Sequence, residues 1–165
     1  MSKPTSLASL FAAVLPFYAF DQATKWWILK NFFPLEERIV SPGFFSLVNW
    51  RNTGAAFSVG TGNNGFFIAL SVAAFIGIVV AYRRGTFADA CSRWAVMLLL
   101  SGILGNVTDR LVHGYVVDFL LFDLHIPYAH PFPAFNVADS CITSAVVLFI
   151  LGSFAVRKKD APGEA

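Results

Sequence analysis

Charge is scarce in this chain of 165 residues: only 13% are Asp, Glu, Lys or Arg, and twelve cations nearly balance ten anions. That balance excludes a nucleic-acid partner, because no basic run is interleaved with base-stacking aromatics. Cysteine is scarcer still. Cys91 and Cys141 are the only two, and both lie beside or inside apolar segments, which excludes a small disulfide-stapled framework and makes each a small buried hydrophobe. There is no Gly-x-Ser-x-Gly elbow, no His-Glu-x-x-His zinc motif and no Gly-x-Gly-Asp motif. Ser101 and Ser140 have no base evident in the sequence. His113, His125 and His130, even with Asp123, are spaced too irregularly to define metal-ligand geometry, so neither a metal nor another cofactor is expected. Internal repeats and low-complexity linkers are missing too.

Apolar residues are abundant. A hydrophobic content of 56% and a mean hydropathy of +0.64 are wrong for a soluble globule of this length and make the bilayer the expected solvent. The chain has room for one domain, residues 1–165. Four segments have the roughly twenty apolar residues needed to cross a hydrocarbon core as helices: about Leu7 to Leu29, Phe66 to Tyr82, Trp94 to His113, and Val137 to Val156. The first follows Lys3 as a secretory leader would. Its apolar and aromatic residues run on through Trp26, Trp27, Ile28 and Leu29 without a cleavage site, so it is read as an uncleaved span. Lys3, Arg83, Arg84, Arg93, Arg157, Lys158 and Lys159 fall on one side of such a bundle, which the positive-inside rule assigns to the cytoplasm with both termini.

The expected fold is therefore an all-α membrane protein of four transmembrane helices, with a small β-sheet and an interfacial segment on the outer side. Strand-like stretches at Glu37 to Val40 and Phe44 to Asn49 flank the Ser41-Pro42-Gly43 turn signal, and Asn52-Thr53-Gly54 makes a second turn before Ala55-Ala56-Phe57. Trp26, Trp27 and Trp50 suit the headgroup level, where indole finds both an apolar body and a polar partner. The second outer connection, Gly114 to Asn136, carries Asp118, Asp123, His125 and His130, with Pro127, Pro131 and Pro133 breaking any long helix. Its aromatic and aliphatic residues predict an interfacial segment.

Polar residues within the spans are the functional candidates, because each must face a protein interior or a wet cavity. Asp21 and Lys25 are four apart on one helical face, with Asp21 about 12 Å of helix from the outer end; the plainer alternative is an ion pair that only holds the bundle. Gly102, Asn106, Asp109 and His113 draw one polar stripe along the third helix, and Gly102 with Gly105 lets another helix or an extended peptide approach closely. Asp109 and Arg110 point about 100° apart and need not pair. Arg110 is read first as an anchor for Asp109 or a backbone carbonyl.

The fourth helix opens with Asn136-Val137-Ala138-Asp139. Asn136 caps well and an acid three residues on suits the positive end of the helix dipole, which alone would explain Asp139. A second acid, Asp118, lies where the third helix has just emerged on the same side, and the two helices are expected to be antiparallel neighbours, so the carboxylates share a depth. Two close carboxyls in a partly dry site cannot both ionise easily, and such a pair can activate water against a peptide bond.

These residues resemble the lipoprotein signal peptidase (signal peptidase II) family of bacterial inner-membrane aspartyl endopeptidases, over nearly the whole chain. Asp21-Gln22-Ala23-Thr24-Lys25 is similar to its first-helix motif and Asn52-Thr53-Gly54-Ala55-Ala56-Phe57 to its outer-loop motif. Gly102-Ile103-Leu104-Gly105-Asn106-Val107-Thr108-Asp109-Arg110 is similar to its third-helix motif, followed by Val117-Asp118-Phe119 and Phe135-Asn136-Val137-Ala138-Asp139. The resemblance implies four spans with both ends cytoplasmic, a periplasmic surface sheet, and Asp118 with Asp139 as a catalytic dyad. Asp21, Asn52, Asn106, Arg110 and Asn136 are implied to support the dyad or bind substrate, and Lys25, Gly54 and Asp109 stand in the same motifs. The implied substrate is a prolipoprotein whose cysteine already carries diacylglyceryl, cut on the N-terminal side of that cysteine; globomycin-type peptides are implied inhibitors. The competing reading from the residues is a non-enzymatic proton-coupled carrier using Asp21, Lys25 and Asp109. Carrier sites usually lie near the midplane in paired broken helices, whereas these acids cluster toward one end.

Overall fold

The computed structural model of the protein describes residues 6–54, 62–125 and 132–160, the last six as backbone only. Lys3, the Ala55-Ala56-Phe57 motif, Pro127, His130 and Pro131 lie outside the described residues, as do the side chains of Arg157, Lys158 and Lys159. The chain runs α1 (Leu7–Asn31), β1 (Glu37–Ser41), β2 (Phe45–Asn52), α2 (Asn64–Arg83), α3 (Ala90–His113), β3 (Val116–Phe122) and α4 (Val137–Asp160). Each expected span is present and extends a few residues beyond its apolar stretch, and all four helices are long and apolar enough to cross a membrane. Their outward faces carry Phe66, Leu70, Ile76, Val146 and Ile150, all exposed. Such a surface has lipid as its natural solvent.

Polar chemistry sets the helix ends. The Ser6 side chain accepts from the Ser9 amide at the start of α1, Asp89 does the same for Ser92 at α3, and Gly114 ends α3 with φ 82°, where a side chain would be strained. At α4 the cap is reciprocal: the Asp139 amide donates to Asn136 Oδ1 at 2.9 Å, and the Asn136 amide donates to Asp139 Oδ2 at 3.2 Å.

Helix α3 is central and packs against α1, α2 and α4. Gly102 and Gly105 make its contact with α4 possible. A Cβ on Gly102 would collide with the Ala138 carbonyl oxygen and stand 2.6 Å from Ile142 Cγ1; one on Gly105 would meet the Asp21 carboxylate and sit 3.0 Å from Ala138 Cβ. Of the two expected visitors to this small-residue face, the helix is the one that occupies it. At the other end Leu10, Val14, Tyr82, Val96 and Leu100 form an apolar cluster, and Arg83, Arg84 and Arg93 stand at that end, as the charge pattern predicts.

Strands β1, β2 and β3 form one antiparallel sheet in that order, on the end of the bundle where α1 and α3 finish. Two of these strands follow the expected pattern and the turn between them holds Gly43 at φ 69°. The third corrects the reading of Gly114 to Asn136 as a loop and interfacial segment: Val116–Phe122 is a strand, and its first four residues are all buried. An apolar run covered on both faces shows no alternation, so periodicity does not reveal it. Ile28 of α1 and Phe32, the residue just past its end, pack with Val117 and Phe119, fastening the sheet to the bundle. Residue 135 then bridges back to Leu120, with Phe135 N donating to Leu120 O at 3.0 Å.

The packing makes a contrast between two helical glycines measurable. Gly102→Ala is expected to lower stability by about 1–3 kcal/mol because a backbone oxygen blocks the new methyl. Gly77→Ala, where nothing lies within 4 Å, is expected to be neutral or stabilising by up to about 1 kcal/mol. Thermal unfolding of both variants in one detergent checks the pair; equal behaviour would contradict the close α3 and α4 contact.

Candidate active site

Where the bundle meets the sheet, the elements converge on a cavity of about 700 Å³ lined by Asn52, Asn106, Arg110, Asp118, Asp139 and apolar side chains. Strand pairing delivers Asp118. In the β2 and β3 register Trp50 stands opposite Asp118 and Asn52 opposite Val116, so Asn52 is a diagonal neighbour of Asp118. The Phe135 bridge carries Asn136 to its other side. Asn52 Nδ2 donates to Asp118 Oδ2 at 3.0 Å, and Asn136 Nδ2 donates to Asp118 Oδ1 at 2.8 Å. Asp139 comes from the first turn of α4, where Asn106 Nδ2 donates to its Oδ1 at 2.8 Å.

Each of these three amides is oriented by a donor at its oxygen. Gly54 N–H donates to Asn52 Oδ1 at 2.9 Å, the Asp139 amide to Asn136 Oδ1 at 2.9 Å, and Lys25 Nζ to Asn106 Oδ1 at 3.0 Å. A group that can only donate must face the amide oxygen, so every NH2 is turned toward a carboxylate. The two oxygens of Asp139 divide the work: Oδ2 accepts from the Asn136 amide as a capping acid does, and Oδ1 accepts from Asn106.

Beneath the carboxylates lies a buried charge cluster. Lys25, 2% exposed, has three ammonium protons and three acceptors: Asp21 Oδ2 at 2.9 Å, Asp109 Oδ2 at 3.0 Å and Asn106 Oδ1. Asp21 Oδ1 in turn accepts from the Ala138 amide of α4 at 2.8 Å, and Asp109 Oδ2 accepts from the Val117 amide of β3 at 3.0 Å. Asp21 and Lys25 therefore hold the bundle, as the ion-pair alternative has it, while also reaching the site. Gln22 completes the cluster: its Nε2 lies 3.1–3.2 Å from Asp21 Oδ2, Gly105 O and Asp109 Oδ1 and shares its two protons among them. Sequence reasoning missed Gln22 as a candidate; its place beside Asp21 in a span was the available signal.

Arg110 behaves as an anchor. Its Nη2 donates to Gly54 O at 2.5 Å, its guanidinium lies over the Phe67 ring at 5.1 Å, and it forms no ion pair with its neighbour Asp109 among the described residues. Gly54 is thereby held at both its N–H and its carbonyl, by Asn52 and by Arg110. One expectation fails here. His113 does not continue the polar stripe into the bundle; it is exposed at the end of α3, stacked against Tyr115, because that helix has already cleared its neighbours.

Burial, and after it the negative charge of Asp139, pushes the Asp118 carboxyl up to about 7, against the opposing hydrogen bonds of Asn52 and Asn136 and the Lys25 charge. Asp118 can therefore hold a proton close to neutrality.

Fold and site together define a multi-pass membrane protein carrying a buried carboxylate, Asp118, and a half-buried one, Asp139, beside a cavity. Residues 13–155 match the family described as signal peptidase (SPase) II. A lipoprotein signal peptidase of Symbiobacterium thermophilum is 40% identical over 139 residues, covering 84% of this chain and 90% of its own. One of Neisseria meningitidis serogroup C is 40% identical over 161 residues, covering 95% and 96%. Two solved bacterial membrane enzymes have the same fold: one with a TM-score of 0.87 and 28% identity, covering 100% of this chain and 99% of its own, the other with 0.79 and 30%, covering 92% and 96%. The chain belongs to the signal peptidase II family; it is a protease and a multi-pass bacterial membrane protein.

The raised carboxyl has a stability consequence with a definite sign. Below about pH 4 Asp118 is protonated in folded and unfolded chains alike, so burying it carries no ionisation cost. As pH rises from its ordinary 3.8 to about 7, the unfolded chain loses its proton first and the folded state loses relative stability, by about 1.36 kcal/mol for each pH unit crossed. Wild-type stability is expected to fall by a few kcal/mol across that window and Asp118→Asn to flatten the slope. Unfolding in detergent at a series of pH values measures it; parallel slopes would count against a buried, proton-holding Asp118.

Proposed function

We propose that this chain is an aspartyl endopeptidase, one integral-membrane domain over residues 1–165, that removes the signal peptide from diacylglyceryl-modified prolipoproteins. Cleavage falls on the N-terminal side of the lipidated cysteine, with Asp118 and Asp139 as the catalytic pair. The observation that carries the reading is the convergence of a buried and a half-buried carboxylate on one cavity, each met by amide donors whose orientation is locked. Family membership and the lipoprotein signal peptidase relatives support the substrate class.

The pair holds one proton between two carboxyls. The ionised member takes a proton from a water molecule as its oxygen attacks the scissile carbonyl carbon, while the protonated member hydrogen-bonds the carbonyl oxygen. The tetrahedral intermediate collapses with cleavage of the C–N bond, and the departing nitrogen takes a proton from the pair, which returns to its starting state. No step calls on a metal. Asn52, Asn106 and Asn136 hold the two carboxylates in place, Arg110 with Gly54 fixes the wall of the cavity, and Asp21, Lys25 and Asp109 support the floor. Globomycin-type peptides would inhibit by occupying the same cavity.

Orientation follows from charge. With Arg83, Arg84 and Arg93 at the end opposite the sheet, the positive-inside rule places that end and both termini in the cytoplasm, and the carboxylates toward the periplasm of the inner membrane. The carrier alternative gains no support, since Asp21, Lys25 and Asp109 bond to one another and to the site.

Asp118→Asn and Asp139→Asn are each expected to lower cleavage of a diacylglyceryl-modified prolipoprotein at least about 100-fold, the usual scale of a lost general acid or base. A chelator is expected to leave the wild type active. Full activity in either variant, or metal-reversible loss with the chelator, would overturn the aspartyl reading.

A further inference from the structure

Hydroxyls inside helices commonly donate to a carbonyl three or four residues back, and those that do not point outward. In the described helices Ser9, Thr24, Ser92, Ser101, Thr108, Ser140 and Ser153 all do so. Ser71 of α2, half-buried, and Thr143 and Ser144 of α4, both exposed, make no hydrogen bond among the described residues, and all three line the cavity. The exceptions to the rule are confined to one place. They stand on its two side walls, since α2 and α4 each pack on α3 and not substantially on each other. Thr143 and Ser144 lie four and five residues beyond Asp139, about 6 to 8 Å deeper along α4.

We propose that Ser71, Thr143 and Ser144 form a backbone-binding subsite that donates to peptide carbonyls of the substrate on the N-terminal side of the scissile bond. This rests on the peptidase reading above. A signal segment that rises through the bilayer as a helix must unwind to present a peptide bond to two side chains. Its last four helical carbonyls then have no intrahelical partner, and at membrane depth no water replaces them. Donors one to two turns below the carboxylates are what those carbonyls require. A hydroxyl is neutral, so it waits in the wall at a far lower cost than a charged donor would, and it can take up a carbonyl of any residue type. The three hydroxyls therefore hold main chain rather than reading side chains, and they tolerate a varied sequence.

The test compares Ser71→Ala, Thr143→Val and Ser144→Ala with the wild type on one diacylglyceryl-modified prolipoprotein in mixed micelles of fixed composition. Each single change is expected to raise KM about three- to tenfold with kcat within about twofold, the fold-change of one lost hydrogen bond. Thr143→Ser, which keeps the hydroxyl, is expected to restore wild-type KM. Ser153→Ala, whose parent hydroxyl bonds Ile150 O at 2.7 Å away from the cavity, serves as the control. Unchanged KM in all three variants would overturn the subsite, while the Asp118→Asn result independently decides the peptidase reading. Repeating the series with a dialkyl ether-linked substrate tests the carbonyl source. A penalty that persists supports peptide carbonyls; one that vanishes assigns the hydroxyls to the lipid esters and overturns the proposal.

Discussion

The ammonium of Lys25 is the point on which the rest of the structure depends. Its three protons meet three acceptors from two helices, Asp21 of α1 and Asn106 and Asp109 of α3. Each acceptor passes the constraint on: Asp21 to the Ala138 amide at the start of α4, Asp109 to the Val117 amide at the start of β3, Asn106 to Asp139 itself. One buried cation thus sets the relative positions of four elements and of both carboxylates. Removing it would leave two acids buried without their partner, a loss on the order of 3–5 kcal/mol. An apolar replacement could fill the space but could not aim three acceptors.

The close approach of α3 and α4 serves the same end by subtraction. Because Gly102 and Gly105 lack a methyl, the first turn of α4 lies against α3 closely enough for Asn106 to reach Asp139 and for Asp21 to reach the Ala138 amide. Packing and hydrogen bonding are here one constraint seen twice. The arrangement also explains how a helix cap can line the cavity: the reciprocal bonds of Asn136 and Asp139 fix the α4 start, and the side-chain NH2 of Asn136 donates to Asp118 Oδ1 and to Val117 O.

Much of this is legible in the residues alone. Four apolar runs predict four helices, the charge pattern puts Arg83, Arg84 and Arg93 at one end, and the 102 to 110 stretch announces a face open to close approach by another helix or an extended peptide. Strand β3 is hidden because its residues are buried on both sides and therefore do not alternate; Asp118 is expected on a loop for that reason. Register is hidden as well, and with it the reason Asn52 reaches Asp118. His113 shares the spacing of the polar stripe but lies beyond the last neighbouring helix, which spacing cannot reveal. The orphan hydroxyls of Ser71, Thr143 and Ser144 are invisible in principle, since only geometry separates them from the seven that bond to their own helices.

The locked amides carry a cost in chemical durability. Asn52, Asn106 and Asn136 each present an NH2 to a carboxylate, and spontaneous hydrolysis of any one to Asp would set two acids face to face. That ageing reaction begins when the following backbone nitrogen attacks the side-chain amide, and it is slowed when the following residue is bulky at Cβ. The successors are Thr53, Val107 and Val137, all β-branched. Asn64, whose amide serves only the Arg110 carbonyl, is followed by Gly65 and lacks that shield. The choice of neighbours thus protects the site against time as well as against motion.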